Sequence, residues 1–129
     1  MDIKVDDEVR VVEPSYRRSS EKPENGYLGR VTRIARKYAT AEYEVSDASG
    51  CFTRTVEFEI ASGRERSNDS NYITWVFTPD EMDLKLRRKA AIATLKAHFI
   101  EFRIGHETRF TLEQLEALAA TAEEYEAGL

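Results

Sequence analysis

The sequence predicts an α+β fold: five short antiparallel strands form a small barrel or strongly curved sheet, followed by a long helix, a short hairpin and a final helix. Two observations lead to this prediction. Up to Thr78, apolar residues alternate with polar or charged ones in short runs, which is typical of strands with one buried face. From Pro79 onward, most apolar residues recur every three or four positions, as they do along amphipathic helices.

The strands are separated by polar or turn-forming segments. We expect them at residues 8–13, 27–36, 40–45, 52–60 and 72–78. The last of these is rich in aromatic and β-branched residues, so we expect a central strand with Trp75 in the core. The loop 15–26 ends in Asn-Gly, a tight-turn pair, and the loop 61–71 has little to bury and is predicted to be the most mobile segment.

Capping residues mark the beginning of both helices. Thr78 precedes Pro79 and stands three residues before Glu81, which is the pattern of a capping box with proline in the first helical turn. Thr111 and Gln114 repeat this pattern. We therefore predict helices from residue 79 to about 98 and from 112 to about 126, with a barrel domain at 1–78 and a packed extension at 79–129.

The segment between the helices, residues 99–110, has two interpretations. Ile100 and Ile104 are four residues apart, as in a continuing helix. They also alternate with charged residues around Phe102, and Gly105 offers a turn. We favour a short hairpin.

Composition excludes several classes of protein. The chain has 129 residues, a formal net charge of −5 and one cysteine, so it contains no internal disulfide and no cysteine-cluster zinc site. The start has no signal-peptide pattern and no apolar run is long enough to cross a bilayer. We expect a soluble protein of a reducing, cytoplasmic compartment with no membrane association.

Enzyme motifs are absent from the sequence. No phosphate-binding glycine loop or dinucleotide fingerprint occurs, and His98, His106 and Cys51 have no partners at diagnostic spacing. We predict no catalytic residue, no cofactor and no metal. A small hydrolase whose pocket is invisible in the sequence is the third and weakest hypothesis.

Two stretches near the start carry a family resemblance. "VDDEVRVV" and "GYLGRVTRI" resemble the first two strands of the KOW-type SH3-like barrels found in ribosomal proteins and transcription factors. The resemblance covers about residues 4–45. It implies that Gly29 permits a sharp bend between strands and that Val31 and Ile34 lie in the core. The connecting loop is longer than the hairpin usual in that family, and the later strands match no family pattern.

The C-terminal part has a second resemblance. "WVFTPDEMDLKLRRKAAIATLKAH" and "FTLEQLEALAA" are similar to small uncharacterised accessory proteins of tailed phages of actinobacteria. This resemblance implies a protein made in the cytoplasm of an infected bacterium. It implies no single activity.

Basic residues on the second strand form the first candidate site. Arginines pair with phosphates and an aromatic ring stacks on an unpaired base. The candidates are Arg30, Arg33, Arg36, Lys37 and Tyr38, joined by Arg17 and Arg18 of the preceding loop. The alternative is that these charges only solvate the barrel and face glutamates of the next strand. Both Arg30 and Arg33 point outward only if the strand bulges near Thr32.

The run "KLRRK" on the first helix is the second candidate. Its basic residues spread over more than one helical face, so the alternative is a solvated helix surface. They are Lys85, Arg87, Arg88 and Lys89. Our first hypothesis is a non-enzymatic binding module that contacts a host protein, because the net charge of −5 disfavours nucleic acid. The second hypothesis is nucleic-acid binding, and the oligomeric state is left open.

Overall fold

The computed structural model describes residues 1–14, 23–47, 50–67, 72–103 and 105–128. Arg17 and Arg18 lie outside the described residues. The strands are Glu8–Val12 (β1), Tyr27–Ile34 (β2), Tyr38–Asp47 (β3), Gly50–Glu59 (β4) and Trp75–Phe77 (β5). The α-helices are Pro79–Ala97 (α1) and Leu112–Ala127 (α2), with a 3-10 helix at His106–Arg109 between them.

The five strands form one antiparallel sheet in the order β4-β3-β2-β1-β5. Strands β1 to β4 run as a meander, and β5 pairs with the free side of β1. The sheet curls into a half-barrel, and two helices follow it in the chain. The predicted α+β fold is therefore confirmed, and its half-barrel is compatible with an SH3-like fold.

Residues 63–66 connect the two edge strands of this sheet. Arg66 N–H donates to the carbonyl of Glu57 on β4 at 2.8 Å. On the other side, Val76 N–H on β5 donates to the carbonyl of Gly63 at 2.8 Å. A segment predicted as a mobile loop is thus ordered by backbone hydrogen bonds at its described residues, because it satisfies edge groups of both strands.

The core of the sheet unit follows the alternation of its strands. Val9, Val11, Val31, Val45 and Phe58 are fully buried. Trp75 was expected in the core, and this prediction is wrong. Its side chain is 38% exposed whereas the neighbouring Val76 is 0% exposed, because β5 turns Val76 toward the core and Trp75 away from it.

Both predicted helix starts are confirmed. Glu81 N–H donates to Thr78 Oγ1 at 3.2 Å while the Glu81 side chain accepts from Thr78 N–H at 3.0 Å. Thr111 and Gln114 form the same reciprocal pair at the start of α2. Each capping box satisfies amide groups that the first helical turn leaves without a partner.

The hairpin predicted over residues 99–110 is wrong. The described residues of this segment contain no strand, and His106–Arg109 form the 3-10 helix. Phe102 and Phe110, whose ring centroids lie 5.0 Å apart, pack against the buried residues of the helices instead. Gly105 adopts φ 80°, so the turn is present but leads into a helical turn.

The chain divides into two compact units, Met1–Met82 and Asp83–Leu129. The first contains the sheet and its core. The second has a core of its own, formed by Ala91, Leu95, Leu115 and Ala119. The domain border proposed at residue 78 stays a prediction.

Candidate binding surface

The outer face of the sheet carries the predicted basic residues of the second strand. Arg30 lies opposite Glu42, and Arg33 lies opposite Thr40 on β3. The register between β2 and β3 shifts between Val31 and Arg33. This irregularity confirms the predicted bulge, which allows both arginines to be exposed while Val31 is buried.

Carboxylates surround Arg30. It lies opposite Glu8 on β1 as well as Glu42 on β3, so the two strands bring acidic residues to it from both sides. We call Asp6, Glu8, Glu42 and Glu44 the acidic patch. These residues and Arg30 line a shallow depression of about 520 Å³, to which Leu28 adds an apolar side chain that is 56% exposed.

Cations gather at the other end of the same face. The turn between β2 and β3 holds Arg36 and Lys37, and Ile60 N–H donates to the Lys37 carbonyl at 3.0 Å. This bond places the turn beside the end of β4, where residues 63–66 add two more arginines, Arg64 and Arg66. We call Arg33, Arg36, Lys37, Arg64 and Arg66 the basic patch.

A depression of about 680 Å³ lies beside the basic patch, lined by Tyr38, Glu57, Glu59, Glu65 and Ser67 together with Arg64 and Arg66. Its three carboxylates are engaged within the unit. Glu57 pairs with Arg66 at 2.9 Å, Glu59 accepts from the Ser62 hydroxyl at 3.0 Å, and Glu65 accepts from the backbone amide of Thr74 at 2.9 Å.

By contrast, Arg33 and Arg36 are free to meet a partner. Among the residues that the structure describes, no carboxylate lies within ion-pair distance of either guanidinium. The five cations of the basic patch outnumber the three carboxylates of the neighbouring depression, so this end of the face has a net positive charge.

Tyr38 is not an open stacking platform. The guanidinium of Arg66 lies 4.3 Å from the centroid of its ring, and the Lys37 ammonium lies 5.7 Å from the same centroid. These cation–π contacts already occupy the ring. A base would have to displace Arg66 before it stacked on Tyr38.

Two of the basic residues of α1 contact other residues of the helical unit. Arg87 Nη2 lies 2.5 Å from Glu116 Oε1 on α2, and the hydrogen bond and charge of Glu116 raise the pKa of the Arg87 guanidinium. Arg88 donates to the carbonyls of Phe110, at 2.8 Å, and Glu107. Lys89 is exposed. Arg87 and Arg88 therefore make polar contacts within the helical unit.

The structure also places the possible metal ligands and Cys51. In the described ranges, no group of three or more His, Cys, Asp or Glu side chains is arranged to hold a metal ion. Cys51 is exposed, with its Sγ 3.1 Å from the Ser46 hydroxyl oxygen. Neither α-helix, over its described residues, is long and apolar enough to cross a membrane.

Arg64 and Arg66 were not among the predicted site residues, because they lie in a segment predicted only as a loop. The acidic patch was also not predicted as one surface, although the alternation of the sequence contains a signal for it. Glu8 precedes the buried Val9, and Glu42 and Glu44 flank the buried Tyr43, so alternation alone places all three on the outer face.

Comparison with known protein families identifies the family of this chain. A model of the Phage ProQ C-terminal-like domain matches residues 1–125, nearly the whole chain. Searches of curated proteins and of solved structures gave no match. The match supports the predicted phage-type protein. The chain belongs to the Phage ProQ C-terminal-like domain family.

Proposed function

We propose that this chain is a non-enzymatic binding module that docks a protein of the infected bacterium on the outer face of its sheet. The observation that carries the proposal is the separation of charge on this face, with the acidic patch at one end and the basic patch at the other. A phage family supports a bacterial host as the source of the partner.

The two patches favour a partner that has both signs of charge. A polyanion lying along the whole face would meet the four carboxylates of the acidic patch, and the net charge of −5 adds to this repulsion. A protein can present lysines and arginines to the acidic patch and carboxylates to the basic patch. Such complementarity raises association rates and fixes the orientation of the partner.

Leu28 supplies an apolar contact within the charged surface. It is 56% exposed on β2 and lies in the depression of the acidic patch. Interfaces concentrate their binding free energy in a few desolvated side chains surrounded by polar residues. Leu28 lies where it can be one of these desolvated side chains.

Affinity capture from a bacterial host lysate tests the proposal. We expect one stoichiometric protein partner on the unaltered chain. The double variants Glu42→Lys/Glu44→Lys and Arg33→Glu/Arg36→Glu should each reduce its capture at least tenfold. The control variant is Glu124→Lys, which reverses an exposed charge on α2 and should leave capture unchanged. Equal capture by all three variants would exclude the outer face.

A second candidate function is nucleic-acid binding by the basic patch, as expected of a KOW-type barrel. The exposure of Arg33 and Arg36 without ion-pair partners among the described residues favours it. For nucleic-acid binding, the association constant should fall as the salt concentration rises. The slope of log K against log salt concentration should change by about 0.7 to 0.9 for each phosphate neutralised.

Fluorescence anisotropy with labelled single-stranded RNA and duplex DNA separates the two functions. Binding at low salt supports the basic patch as a phosphate site if the salt-dependence slope becomes shallower by about 1.4 to 1.8 in Arg33→Ala/Arg36→Ala. No change in anisotropy with either probe would remove this second function and leave protein binding as the proposal.

A further inference from the structure

Phe99, at the end of α1, combines a left-handed backbone with an exposed ring. Its φ is 63° and its side chain is 93% exposed. The backbone amide of Ile100 donates to the Leu95 carbonyl at 2.9 Å, and that of Phe99 donates to Lys96 at 3.0 Å. These bonds form a helix-ending motif whose left-handed position favours glycine. Phenylalanine here adds backbone strain and exposes apolar surface to water.

An apolar groove lies next to Phe99 in the same unit. Its volume is about 270 Å³, which suits one or two side chains rather than a drug-sized ligand. Ile92, Ile100 and Phe102 supply its apolar surface. Phe99 does not line this groove.

Charged residues of both signs complete the lining of the groove. These are Lys96, Glu101 and Glu107. Among the described residues, no carboxylate lies within ion-pair distance of the Lys96 ammonium. Lys96 is therefore available to pair with a carboxylate on another molecule.

We infer that two copies of this chain associate by inserting the Phe99 ring of each copy into the groove of the other. A two-fold interface uses the same patch on both partners, so the patch must contain complementary features. The surface formed by Phe99 and the neighbouring groove contains a protruding ring and a cavity for it. It also contains an available cation and carboxylates. Lys96 of one copy would face Glu101 of the other.

A second copy explains these features together. A foreign partner would need either the ring or the groove, whereas the two-fold arrangement uses both and removes both Phe99 rings from water. Because each copy contributes one aromatic ring and a small groove, the interface is smaller than a standard stable one. The dimer is therefore weak and its population depends on concentration.

Sedimentation velocity over a concentration series tests the dimer with the full chain. We expect a monomer–dimer equilibrium that Phe99→Gly weakens at least tenfold. The same variant should unfold at an equal or higher temperature, because glycine accepts the left-handed backbone without strain. Loss of the dimer without loss of stability separates docking from misfolding.

Tyr125→Ala is the matched control, because this aromatic residue of α2 is 72% exposed and does not line the groove. It should leave the equilibrium unchanged. A wild-type chain that stays monomeric up to about 1 mM, or a Phe99→Gly chain that dimerises as the wild type does, would overturn the inference.

A charge swap tests whether the partner is a second copy. Lys96→Glu and Glu101→Lys should each weaken the homodimer about threefold or more, because like charges then face each other across the two-fold axis. An equimolar mixture of the two variants should form a heterodimer at least as well as the wild type forms its homodimer. A mixture that associates no better than either variant alone contradicts the arrangement.

Discussion

The hydroxyl of Tyr43 donates a 2.8 Å hydrogen bond to the buried carboxylate of Glu13. Both residues belong to the inner side of the sheet unit, and the Glu13 side chain is 0% exposed. Arg54, which lies opposite Tyr43 on β4, donates to the same oxygen of Glu13. Glu13, which directly follows β1, therefore makes a polar contact inside the unit. Its carboxylate accepts hydrogen bonds from a hydroxyl and a guanidinium.

Tyr43→Phe tests the contribution of this contact to stability. The variant removes one donor to a buried charged group and keeps the ring that packs near Tyr27, so we expect the free energy of unfolding to fall by about 1.5 to 3 kcal/mol. Urea denaturation followed by the fluorescence of Trp75, the single tryptophan, measures it. Tyr125→Phe, on an exposed helix position, should change stability by less than about 0.5 kcal/mol. Equal midpoints for both variants would contradict this account.

Gly63 controls the connection between the edge strands. Its φ is 75°, and an added Cβ would lie 2.1 Å from the carbonyl oxygen of Val76. Gly63→Ala must therefore break the backbone hydrogen bonds that join residues 63–66 to β5. We expect a loss of about 3 kcal/mol or more, measured by the same Trp75 fluorescence.

Gly50→Ala is the control for this prediction. Gly50 also has a positive φ, 124°, but among the described residues no heavy atom beyond its chain neighbours lies within 4 Å of an added Cβ. Its substitution should therefore cost backbone strain alone, about 1 to 3 kcal/mol. If Gly63→Ala proves no more destabilising than Gly50→Ala, the close approach to Val76 is not what requires glycine at residue 63.

Local patterns were sufficient for β1 to β4, the helix starts and the bulge. The fifth strand was predicted as a central strand, but β5 lies at the edge of the sheet. Arg30 and Arg33 are three positions apart, so their common exposure required an irregularity, and the register shift between Val31 and Arg33 provides it. The buried Glu13 was missed although Val9, Val11 and Glu13 alternate on one face. Alternation does not reveal a partner for its charge, because Arg54 is 41 residues away in the sequence.

Long-range contacts also explain the other features that the sequence predicted wrongly or not at all. The hairpin prediction rested on alternation around Phe102, but this side chain packs with the helical core. Alternation places Glu8 and Glu42 on the outer face, but only the register between β1 and β2 brings Glu8 opposite Arg30. Likewise, the ion pair of Arg87 depends on how α1 and α2 pack within their unit.

Arg88 and Arg87 should differ in their contributions to stability, although they are neighbours on α1. Arg88 is partly buried and donates to two backbone carbonyls around the 3-10 helix, so Arg88→Met should lower the free energy of unfolding by about 1 to 3 kcal/mol. Arg87 forms an exposed ion pair with Glu116, and Arg87→Met should cost less than about 1 kcal/mol. Circular dichroism at 222 nm during thermal unfolding compares the two. A larger effect of Arg87→Met would show that the exposed ion pair, rather than the bonds to the loop backbone, stabilises the helical unit.

A fragment of residues 1–82 should fold without the rest of the chain. The buried cluster of the sheet draws its members from Val9 to Val76, and the hydrogen bonds of residues 63–66 lie within the same unit. A domain of this size buries about 60% to 65% of its unfolded surface, so we expect cooperative unfolding at lower stability than in the full chain. The fragment should give a β-type circular dichroism spectrum and a sigmoidal urea transition of Trp75 fluorescence. A mainly helical spectrum, or a transition without cooperativity, would show that the sheet needs residues 83–129 to fold.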